Sequence, residues 1–212
     1  MLRKAFKASI CLVLAAMPSL VSPAQTPPAM FPPEALAWDE TMSDWVAPIL
    51  IRMGEPPLWT TGAITGSGKV YRFTFVGNLC KATTIRITDA AKGATLRAVS
   101  LDRCKGHRLK VLQRNKRIAA TDIAELQDLM SKAGMWQNQL GNWDGENGHE
   151  WVDCTFLVME RAQAADYRLE RNQISCIQPK TLIPVVNKVA GLAGLSHISL
   201  GYLDHAAGEQ SH

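Results

Sequence analysis

Between Val70 and Val111, apolar and polar residues alternate with a period of two. Tyr71, Phe73 and Phe75 alternate with Arg72 and Thr74; Ile85 and Ile87 alternate with Thr84 and Arg86; Leu96 and Ala98 flank Arg97; Leu109 and Val111 flank Arg108 and Lys110. Successive side chains of an extended strand point to opposite faces, so the pattern predicts four strands of an antiparallel meander with one apolar face. The period then lengthens. Over residues 122–133, Ile123, Leu126, Met130 and Ala133 recur at helical spacing, with Thr121 or Asp122 as N-cap, Glu125 three residues after Asp122, and Gly134 as the stop. Residues 152–159 become apolar on both faces in their second half and predict a central strand. A turn at 163–166 leads to a last strand, in which Tyr167 and Leu169 alternate with Arg168 and Glu170. Thr181 caps a final helix, whose first turn tolerates Pro184 because no intrahelical bond is lost there.

Upstream of the alternating region, residues 25–33 carry Pro27, Pro28, Pro32 and Pro33 and read as an extended leader without fixed structure. Trp38, Met42, Trp45 and Ile49 recur at helical spacing and predict a helix over 34–46, with Pro48 limiting its extent. Gly54 through Pro57 break it, and 60–68 form a turn-rich connector. The predicted fold is a single α+β domain over residues 69–200: an antiparallel β-meander, a helix, a β-hairpin and a C-terminal helix. Residues 25–68 form a Pro-rich N-terminal leader and 201–212 a loose tail. Composition agrees with a packed core: of 212 residues 47% are apolar and 20% charged, which excludes a disordered or collagen-like chain.

Residues 1–24 have the pattern of a secretory signal. Arg3, Lys4 and Lys7 precede an apolar run over 8–17, Pro18 ends it, and Ser22 and Ala24 supply small residues before a cleavage point at Ala24. That run is far shorter than the ~20 residues a membrane-spanning helix needs. The later apolar stretch over 181–195 is short and carries Asn187 and Lys188, so no transmembrane segment is expected in the mature protein. Ile10 stands before Cys11 where lipidation requires a small residue. The expected location is periplasmic or secreted. Four cysteines then remain, Cys80, Cys104, Cys154 and Cys176, and an even count in an oxidising compartment predicts two disulfides. Three pairings exist. Cys80–Cys104 and Cys154–Cys176 are preferred because each pair flanks strands expected to be neighbours, each bridge being worth about 3 kcal/mol on the chain-entropy argument.

The whole chain has a formal charge of +4, but removing the leader leaves +1. The remaining charge is unevenly spread: residues 25–68 sum to −4, 69–117 to +11 and 118–178 to −6. On the period-two pattern, Arg72, Arg86, Arg97, Arg108 and Lys110 collect on the polar side of the sheet and form a candidate anion-binding face. Its competing reading is a solvated face neutralised by Asp166, Glu170 and the acidic loop. Nucleic acid is not expected as a partner, because the protein reads as exported and Tyr71 and Phe73 point to the core.

The strands, the helix ending in Ala133-Gly134-Met135-Trp136, Asp153 and Glu160 seven residues later, Tyr167 and Arg171, and the closing Gly191-Leu192-Ala193-Gly194-Leu195 make up a recognisable order. Over about residues 70–195 it resembles a family of small exported proteobacterial proteins with no assigned activity. Cys154 and Leu157 stand where that family is expected to carry glycine and tryptophan. The resemblance implies an exported α+β protein and no reaction.

The densest set of potential metal ligands is the loop 142–150, where Asp144, His149 and Glu150 define an alternative metal-dependent or hydrolytic site. It fails the EF-hand pattern, since Asn147 occupies the position that needs glycine, and no second histidine follows His149-Glu150 at helical spacing. Asp153 and Glu160, seven residues apart on an extended strand, lie on opposite faces and ~23 Å apart, too far to share a site. There is no P-loop, no G-x-G-x-x-G and no G-x-S-x-G elbow, and no cofactor is expected. The sequence reading is a non-catalytic binding or accessory protein of the cell envelope, engaging an anionic glycan or protein. On the two-disulfide expectation, mature protein denatured without reductant takes up no iodoacetamide, and after reduction all four cysteines are alkylated by intact mass. Alkylation before reduction refutes the pairing.

Overall fold

The computed structural model describes residues 29–38, 42–60, 68–77, 81–102, 110–137, 141–142, 155–164, 166–174 and 180–195. The fold is α+β. Its sheet has the order β4-β3-β2-β1-β6-β7-β5, built from β1 (Lys69–Val76), β2 (Lys81–Ala90), β3 (Gly93–Asp102), β4 (Lys110–Ile118), β5 (Gly141–Asn142), β6 (Phe156–Gln163) and β7 (Asp166–Gln173). All neighbours are antiparallel except the two-residue β5, which pairs in parallel with β7. The meander β1 to β4 thus forms one half of the sheet. The central strand β1 joins it to the hairpin β6–β7.

One face of the sheet is the apolar side that the alternation predicts. Tyr71, Phe73, Phe75, Ile85, Ile87, Leu96 and Ala98 are buried in a core with α3 (Ala120–Lys132) and α4 (Ile183–Ala193). Helix α3 contributes Ile123, Leu126 and Met130, and α4 contributes Val185, Val186 and Val189. Neither helix starts at its expected cap: Ala119, two residues before Thr121, and Leu182, one residue after Thr181, occupy the N-cap positions, and neither makes a side-chain capping bond. Packing of the apolar face holds each helix instead. Gly134, with φ +70, ends α3 as its position predicts, and its left-handed backbone lets the Met135 N–H reach the Met130 carbonyl. At the far end of α4, the Arg114 guanidinium of β4 donates to the carbonyls of Ala193 and Gly194, satisfying acceptors that a helix C-terminus leaves open.

The opposite face is covered too. The segment read as an unstructured leader and single helix packs as a second layer: α1 (Pro33–Trp38), a π-helical turn (Met42–Val46) and α2 (Ala47–Arg52). Met30, Phe31, Ala35, Met42, Val46, Ile49, Leu50 and Met53 are buried there against Val76, Ala82, Val99, Leu101, Val158 and Leu169 of the sheet. Pro48 lies at the start of α2, where a missing N–H costs nothing, so it opens a helix where a stop is expected. No helix among the described residues is long and apolar enough to cross a membrane. The cysteines Cys80, Cys104, Cys154 and Cys176 lie outside the described residues.

Phe31 is completely buried between the N-terminal layer and the sheet. Phe31→Ala should therefore cost about 3–5 kcal/mol in urea unfolding, as for a core aromatic. A loss below ~0.5 kcal/mol, the usual range for surface positions, would show that this layer is dispensable.

Candidate functional site

The register sets a row of charge across the centre of the covered face. Arg72 of β1 pairs with Arg86 of β2 and, on its other side, with Glu160 of β6; Arg86 pairs with Arg97 of β3. Three arginines and one glutamate therefore lie side by side, ~4.8 Å apart from strand to strand. Burying adjacent guanidinium groups is costly unless each charge is met. At the inner end, Arg72 grips Glu160 with two bonds, Nε to Oε2 at 2.5 Å and Nη2 to Oε1 at 2.7 Å, and both residues are 0% exposed. The Tyr167 hydroxyl donates to the same Oε1 at 2.8 Å. Burial pushes the Tyr167 phenol well above its ordinary pKa, and the adjacent Glu160 charge adds to the shift.

The remaining arginines are met from the N-terminal layer. Gly54, with φ +67, turns the chain at the end of α2 in the left-handed conformation that favours glycine, and the next N–H, that of Glu55, bonds back to the Leu50 carbonyl. This turn lays the buried Glu55 carboxylate over the arginine row. Its Oε1 accepts from Arg97 Nη1, and its Oε2 lies 3.2 Å from Arg86 Nε and 3.8 Å from Arg72 Nη1. The same arginines hold the backbone of the turn: Arg97 Nη2 donates to the Met53 carbonyl at 2.8 Å and Arg72 Nη1 to the Pro56 carbonyl at 2.6 Å.

Towards β4 the row emerges from under this layer. A cleft of about 520 Å³ opens there, lined by Arg86, Arg97, Lys116 and Arg117, together with Thr88, Thr95 and Asn115. Among the described residues, no acidic side chain lines it. Arg86 is half-buried, and burial, with Arg97 and Arg72 close by, lowers its pKa from the ordinary value despite the opposing pull of Glu55. Among the described residues, the terminal nitrogens of Arg86 and the side chains of Thr88, Thr95, Asn115, Lys116 and Arg117 have no hydrogen-bond or ion-pair partner. The cleft is a set of donors and positive charges facing outward, which suits an anion.

The five residues of the candidate anion face are therefore divided by the structure. Arg72 is sealed inside, Arg86 and Arg97 reach the cleft, and Arg108 lies outside the described residues. Lys110 pairs with Asp102 whereas Asn115 pairs with Arg97, so Lys110 takes a register position of opposite parity to the arginine row. In a strand, a one-residue difference in register changes the face, and the cleft gains Asn115 and Arg117 in its place. Asp166 and Glu170, the expected neutralisers, sit elsewhere: Asp166 pairs with Arg161 and Arg168, while Glu170 accepts from the Trp136 backbone N–H at 2.5 Å. Glu55 and Glu160 take that role. Asp144, His149 and Glu150 lie outside the described residues. No protein-family model matches the chain, and no curated protein matches it.

Arg72→Met leaves Glu160 buried beside an apolar side chain and should cost about 3–5 kcal/mol. Arg72→Met combined with Glu160→Met removes both charges and should be more stable than either single variant in urea unfolding. A double variant with the summed loss of the two singles would show that the pair is not coupled.

Proposed function

We propose that the chain is an exported, non-catalytic binding protein of the bacterial cell envelope that takes an anionic ligand in the cleft over β2, β3 and β4. The observation that carries this reading is the cleft itself: among the described residues, Arg86, Arg97 and Arg117 share one face of a concave space of about 520 Å³, no acid lines it, and donors along it lack protein partners. Such a space is within the range of small-ligand sites, roughly 300–1,000 Å³. The short positive segment, apolar run and small residues of positions 1–24 support export, which makes an anionic envelope glycan a more natural ligand than nucleic acid.

The arginines nearest the buried row also hold the fold together, so the test uses the exposed rim. Arg117 is solvent-exposed. The protein should be retained on heparin in a salt-sensitive manner, and Arg117→Glu should elute at distinctly lower salt while unfolding at the wild-type urea midpoint. Retention unaffected by salt or by this substitution would overturn the reading.

A further inference from the structure

The cleft floor is a grid of three strands and two rows. Arg86, Arg97 and Asn115 stand opposite one another in the first row, and Thr95 with Arg117, next to Thr88, in the second. Adjacent strands are ~4.8 Å apart, and residues two apart along a strand are separated by ~6.8 Å. The positive charge is not centred on this grid. One pole is Arg86 and Arg97 in the first row, where Glu55 of the covering layer pairs with both guanidinium groups. The other is Arg117 at the far corner of the second row, which has no partner among the described residues. Thr88, Thr95 and Asn115 lie between the poles, and each both donates and accepts hydrogen bonds, as a hydroxylated body requires.

The Arg97 and Arg117 positions stand ~8 Å apart across this grid, and a lone phosphate or sulfate fills a small part of about 520 Å³. We infer that the ligand is sugar-sized and carries two anionic ester groups, phosphate or sulfate, one held by Arg86 and Arg97 and the other by Arg117, with its hydroxyls on Thr88, Thr95 and Asn115. This inference rests on the proposed anion-binding function and adds to it the number and spacing of the charges.

Isothermal titration of the full-length mature protein tests it with fructose 1,6-bisphosphate, fructose 6-phosphate, inorganic phosphate and a multiply sulfated heparin disaccharide. The bisphosphate or the sulfated disaccharide should bind at least about tenfold tighter than either monophosphate, and the tighter of these two assigns the source as a free sugar phosphate or a glycan unit. Arg117→Gln, at an exposed position, should abolish that advantage while leaving monophosphate affinity within about twofold. Thr95→Val, also exposed, should weaken the sugar ligands and spare inorganic phosphate. Equal affinity for one-anion and two-anion probes, or an Arg117→Gln loss equal for both, would overturn the two-pole inference and leave anion binding standing. Binding of none of the four probes, together with salt-insensitive behaviour on heparin, would overturn both.

Discussion

The bidentate contact between Arg72 and Glu160 constrains the rest of the molecule. It lies on the central strand of the sheet, and neither residue reaches solvent. A charge in that position has a large desolvation cost, offset only by close opposite charge and by hydrogen bonds to its remaining donors. Each neighbouring feature meets part of that demand. Glu160 supplies the fork, Tyr167 bonds the carboxylate, Pro56 offers a carbonyl, and Glu55 shares its charge among three arginines. The N-terminal layer is therefore the cover that makes a charged sheet centre tolerable, with Phe31 and Leu50 excluding water beside it.

The same row explains why a binding cleft lies where it does. Three adjacent arginines share two buried carboxylates, so positive charge exceeds negative along the row, and the excess falls at the end where the cover stops. There Arg86 and Arg97 pair with Glu55 at the edge of the cover and line the cleft. Long flexible cations are thereby pre-positioned, which removes part of the ordering cost of capturing a ligand.

Much of the helix-covered face was legible in the sequence, because alternation in β1, β2 and β3 is strict and the spacing in α3 is helical. The covered face was harder. Arg72, Arg86 and Arg97 at alternate positions look like a solvated surface, and a Pro-rich segment without periodicity looks like a leader. Two signals point the other way. Val76, Ala82, Val99 and Leu101 make the strand ends apolar on the supposed polar side, and residues 156–159 are apolar on both faces, which requires two layers. The segment 25–68 also carries −4 next to a +11 sheet, a complementarity that Glu55 realises in three dimensions. Glu160 and Tyr167 were visible as a motif, yet their shared partner lies 88 residues earlier in the chain than Glu160, beyond any local pattern. For β4, apolar Leu109 and Val111 suggested a face that the register with β3 does not keep.

That separation of 88 residues has a kinetic side. The N-terminal layer and β1 to β4 are synthesised first, but the sheet centre lacks its main counter-charge until β6 arrives. A four-stranded meander closed early would hold Arg72 with the Pro56 carbonyl and, as counter-charge, the Glu55 carboxylate 3.8 Å away. Native pairing of β1 with β6 spans a long loop, and topologies dominated by such contacts fold slowly. The charge at the centre of the sheet therefore ties an early strand to a late one: Arg72 gains its bidentate carboxylate only when the hairpin β6–β7 docks against β1.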